Sequence, residues 1–85
     1  EILIPACKEM IVDRLDSIVC VTEDKSVAEN ISAVADKVRA LETSGITFEV
    51  YKKQLSAIYD EFNSTAGETA QEKAASAILA YVISL

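Results

Sequence analysis

The chain has 85 residues, 51% of them hydrophobic, with two glycines and one proline, which fits one compact domain around a small core rather than a disordered segment. It has no histidine and no tryptophan, so the commonest general base and metal ligand are missing, and neither zinc chemistry nor Ser-His catalysis is expected. Fourteen acidic residues against eight basic ones leave a formal charge of −6, which on average repels nucleic-acid phosphates and anionic membrane surfaces.

The first apolar series, Ile4, Cys7, Ile11, Leu15 and Ile18, steps by three and four and so lies on one face of a helix expected over about residues 4–19. Pro5 falls in its first turn, where a missing N–H costs nothing. The β-branched residues Ile18, Val19 and Val21 mark its end, and Thr22, Glu23 and Asp24 supply the next start. A second helix carries Val27, Ile31, Val34, Val38 and Leu41, with Ser26 and Glu29 spaced as a capping box. Thr43-Ser44-Gly45 is expected to stop it, with Gly45 in the left-handed conformation. That leaves a link of about four residues and antiparallel neighbours on either side of it.

The third helix repeats the rhythm with Phe48, Tyr51, Leu55, Ile58 and Phe62, with Thr47 as its N-cap and Ile46 placed to pack on Tyr51. Asn63-Ser64-Thr65-Ala66-Gly67 reads as a turn. A fourth helix is expected from about Glu68, with Glu68 and Glu72 near its positive N-terminal end. No strand periodicity competes. The expected fold is therefore all-α, a four-helix antiparallel up-down bundle forming one domain over residues 1–85.

Both asparagines stand in acceptor sequons, Asn30-Ile31-Ser32 and Asn63-Ser64-Thr65, so a secreted, glycosylated protein is expected, with Asn63 the more accessible acceptor. A start at Glu1 rather than Met fits a processed or excised end. The longest uncharged run, Ala74 to Leu85, is twelve residues, short of the roughly 20 a membrane span requires. Cys7 and Cys20 are the disulfide candidates. Thirteen residues of unbroken helix would hold their α-carbons about 20 Å apart, against the roughly 4.4–6.8 Å of a disulfide. An internal bridge therefore needs a short or broken first helix; a bridge between molecules through Cys20 and two unpaired thiols are the other readings. No histidine is present to turn either thiol into a nucleophile.

Asp16-Ser17-Ile18 resembles the attachment site of acyl and peptidyl carrier proteins, which are also small acidic four-helix domains. In that family the serine begins the second helix, after a full first helix and a long loop. Ser17 lies near the end of the first, so no attached cofactor is expected. The adjacent carboxylates Asp13/Asp16, Glu23/Asp24 and Asp60/Glu61 sit on polar faces or in loops, and no calcium-loop pattern occurs. No catalytic, cofactor-binding or metal residue is expected, nor a nucleic-acid partner, because the basic residues form no one-sided stripe.

The uncharged run is the most informative segment. A helix apolar on every side must be covered on every side, and three neighbours in a small bundle cover only about two-thirds of it. Leu79, Tyr81 and Ile83 are expected to need further cover. The candidate interface or ligand-lining residues are Phe48, Tyr51, Phe62, Ile78, Leu79, Tyr81, Val82 and Ile83. The expected function is a non-enzymatic, secreted interaction or assembly module that pairs with a second copy or another protein through its last helix. The alternative is a carrier of a small hydrophobic ligand or lipid, held where Ala-rich faces leave volume beside the aromatic residues.

Overall fold

The computed structural model describes residues 3–67 and 69–85. These form four helices and no strand: α1 Leu3–Val21, α2 Lys25–Ala40, α3 Phe48–Thr65 and α4 Ala70–Ile83. Glu68, one of the two acidic residues expected at the start of the fourth helix, lies outside the described residues.

In α1 the stripe Ile4, Cys7, Ile11 and Leu15 is buried, as its spacing requires. The helix runs on to Val21, where Thr22 closes it: its N–H donates to the Val19 carbonyl (3.2 Å) and its hydroxyl to the Ile18 carbonyl (2.6 Å). α2 begins at Asp24 rather than Ser26. The Asp24 carboxylate accepts from the N–H groups of Ser26 (2.9 Å) and Val27 (3.2 Å), satisfying two orphan donors at once, while Ser26 becomes a first-turn residue.

α2 ends at Leu41, whose backbone turns extended, so the link to α3 spans 41–47 and is longer than expected. Leu41 and Ile46 both rest against the core and pin this link. Gly45 does take a left-handed backbone (φ 74°), but inside the link rather than at the helix end. Lys8 Nζ on α1 donates to the Leu41 carbonyl (3.3 Å), one of the acceptors a helix end leaves unpaired.

Thr47 caps α3 as its position suggests, its hydroxyl oxygen accepting from the Val50 N–H (3.2 Å). α3 then continues through Asn63, Ser64 and Thr65, which were expected to form a turn. The Ser64 hydroxyl donates to the Glu61 carbonyl (2.8 Å) and that of Thr65 to the Phe62 carbonyl (3.2 Å), so their polar groups are satisfied within the helix.

One apolar cluster draws on all four helices, with Ile4, Ile11, Leu15, Ile31, Val38, Tyr51, Leu55, Leu79 and Val82 fully enclosed. α1 packs most closely on α2, and α3 on α4; contacts of α1 with α4 and of α2 with α3 join the two pairs. Exposed polar contacts cross the seams: Arg39 Nη2 to Asp16 Oδ2 (2.6 Å) between α2 and α1, Lys37 to Glu61 between α2 and α3, and the Ser76 hydroxyl to Asn63 Oδ1 (2.9 Å) between α4 and α3. Such exposed ion pairs contribute about 0.2–1 kcal/mol each, so the apolar cluster dominates. No helix among the described residues is long and apolar enough to cross a membrane.

Candidate functional site

The uncharged end of α4 divides into a covered and a bare side. Ala75, Leu79 and Val82 are fully buried by the chain's own helices, so Leu79, contrary to expectation, needs no outside cover. Ile78 and Ile83 are half-buried. Ala74 and Ala77 are exposed, and Tyr81 is 59% exposed. Residues 74, 77, 78 and 81 follow the three-and-four spacing of a single helix face, so the exposed residues and half-buried Ile78 form one outward stripe.

Beside this stripe runs α1. Met10 and Arg14 of α1, with Ala77, Ile78 and Tyr81 of α4, line a cleft of about 330 Å³ that opens to solvent. Its one charged group is Arg14, which has no ion pair or hydrogen bond among the described residues. Elsewhere the cations on the seams are engaged: Arg39 with Asp16 and Asp36, Lys37 with Glu61, and Lys52 with Glu49 and, at 5.3 Å, the Phe48 ring.

The aromatic candidates of α3 do not join this face. Tyr51 and Phe62 are core residues and Phe48 is half-buried. Phe62 also borders a surface cleft between α2 and α3 with Asn30, Lys37 and Glu61. The Tyr51 hydroxyl is enclosed without a hydrogen-bond partner among the described residues, as is Gln54 Oε1. Burial, followed by the neighbouring Cys7 thiol, pushes the Tyr51 phenol up to about 12, so it stays neutral.

Cys7 is buried, which pushes its thiol up, and Cys20 is exposed; both are free. α1 is unbroken between them, so the internal bridge considered above is closed by geometry. Ser17 lies inside the same helix, its hydroxyl donating to the Asp13 carbonyl (3.0 Å), unlike the helix-initiating serine of carrier proteins. Asn30 and Asn63 are exposed on α2 and α3, Asn63 in the last turn of its helix and not in a turn.

One residue acquires a role that dipole reasoning alone had not assigned. Thr69-Ala70-Gln71-Glu72 is a capping box: the Thr69 hydroxyl oxygen accepts from the Glu72 N–H (3.2 Å) and donates to Glu72 Oε1 (2.8 Å). Glu72 Oε2 reaches further back and accepts from the Gly67 N–H (2.8 Å). Glu72 is only 4% exposed, the one buried charged side chain among the described residues. A Cβ on residue 67 would stand 2.9 Å from Glu72 Oε1, so a side chain there would push the Glu72 carboxylate aside. The Gly67 N–H, then the Thr69 hydroxyl, hold the carboxyl below its ordinary value against the opposing effect of burial. The Thr-x-x-Glu spacing was the available signal. With its oxygens engaged by the chain itself, Glu72 acts as a fastener of the α3–α4 connection. No cluster of three or more potential metal ligands occurs among the described residues. No protein-family profile, curated protein or solved structure matches the chain.

Proposed function

We propose that this chain is a non-enzymatic interaction or assembly module, secreted and glycosylated at its sequons, that docks a protein partner or a second copy through the outer face of α4. The observation that carries this reading is the outward stripe of exposed Ala74, Ala77 and Tyr81 with half-buried Ile78, on a molecule whose net charge is −6. An apolar stripe of that kind, bordered by a groove, marks a contact surface more often than a solvated one. The reading includes an up-down antiparallel order of the helices, supported by Lys8 near the start of α1 reaching the Leu41 carbonyl at the end of α2. Exposure of Asn30 and Asn63 supports their use as glycan acceptors.

The test is native mass spectrometry of protein from its source, alongside sedimentation of the wild type and an Ala77→Glu variant. A complex with protein that Ala77→Glu dissolves, on a chain carrying glycan mass, is the expected result. A bare, ligand-free monomer insensitive to the substitution would sink the reading. A monomer carrying a lipid mass would favour the carrier alternative, for which the α1/α4 cleft, with Met10, Ile78 and Tyr81 on its walls, offers a place.

A further inference from the structure

Arg14 sets the α1/α4 cleft apart from an ordinary apolar groove. Its neighbours one helical turn away, Met10, Ile11, Ser17 and Ile18, are uncharged, and α4 opposite carries no charge from Ala74 onward. A guanidinium stays protonated at any relevant pH. The cleft therefore presents an apolar wall and one permanent, unpaired positive charge.

We infer that the occupant of this cleft is an amphipathic helix of a different protein, which sets a Glu or Asp carboxylate against Arg14 and its apolar side chains against Met10, Ile78 and Tyr81. This rests on the docking reading above and specifies its partner. A groove between two packed helices accepts the ridge of a third, and Ala74 and Ala77 let its backbone come close. A second copy fits less well: a two-fold pair would oppose the same face to itself, and among its described residues that face offers Arg14 but no carboxylate. An acidic helix gives Arg14 a charge-assisted hydrogen-bond partner, while a basic one meets repulsion.

The experiment titrates the full chain with short synthetic amphipathic helices identical except for Glu, Gln or Lys at one edge of the apolar face. The Glu helix is expected to bind about tenfold or more tighter than the Lys helix, Arg14→Glu to reverse that order, and Tyr81→Glu to abolish binding of all three. Circular dichroism of the variants, both at exposed positions, checks that each remains folded. Equal affinities, an order that Arg14→Glu leaves unchanged, or no binding at high micromolar concentration overturns the inference. Charge-blind binding that Tyr81→Glu removes would leave the docking face standing while the acidic partner falls; binding that Tyr81→Glu does not touch removes both. Self-association lost in Tyr81→Glu, or saturable uptake of a medium-chain carboxylate in place of the helices, would give the cleft to a second copy or a small anion and likewise overturn it.

Discussion

α2 and α4 are alike on their inner sides and opposite on their outer ones. α2 buries Val27, Ile31, Val34 and Val38 and turns Asp36, Lys37 and Arg39 to solvent, where they pair with each other and with neighbouring helices. α4 buries Ala75, Leu79 and Val82 and turns Ala74, Ala77 and Tyr81 outward. The inner stripes of both helices belong to the common apolar cluster. Charge on the outside of α2 serves solubility, and its absence from the outside of α4 is the contrast on which the proposed contact surface rests.

The sharpest way to break this comparison is to truncate both sides of α4. Leu79→Ala is expected to cost about 2–5 kcal/mol in urea unfolding, because it opens a cavity among fully buried neighbours. Tyr81→Ala is expected to stay within about 0.5 kcal/mol. Comparable losses at the two positions would mean that the outer face is used for folding after all.

The start of α4 comes next. Glu72→Ala removes the latch on Gly67 and Thr69 and is expected to cost about 1–2 kcal/mol, read as a shift in the urea midpoint. Because the folded carboxyl is held below its unfolded value, its contribution is full above the ordinary carboxylate range and is lost as pH falls through the folded pKa. The stability gap between wild type and Glu72→Gln should therefore be constant above about pH 5 and shrink below about pH 4.5. A gap that widens in acid would contradict the assignment.

Tyr51→Phe should be neutral or stabilising by about 1 kcal/mol, since it removes an enclosed hydroxyl with no partner among the described residues. A large loss would show that the hydroxyl has a partner. The smallest effect is expected on α2: Arg39→Ala should cost under about 1 kcal/mol and fade with added salt, as exposed ion pairs do.

The buried stripes of α1 to α3 were legible because three-and-four spacing reports directly on which face is covered, and Thr47 was legible because a cap acts within one turn. Positions where two local solutions compete were less so. Asp24 displaced Ser26 as a cap by accepting two N–H groups, and Ser64 and Thr65 stayed helical by bonding back to carbonyls of their own helix. Leu79 was placed with Tyr81 because a uniformly apolar sequence carries no moment to orient it; only packing against the other helices divides inner from outer. The role proposed for Arg14 depends on α1 and α4 lying side by side, a long-range fact that no spacing along the chain encodes.

The claim that α4's outer face is a contact surface is tested most directly by hydroxyl-radical footprinting of Tyr81, comparing protein as it occurs in its source with dilute recombinant chain. Tyr59, half-buried on α3, serves as the internal reference. Tyr81 is expected to be protected in the source material and reactive in the dilute chain, with Tyr59 unchanged. Equal, high reactivity of Tyr81 in both would contradict the claim.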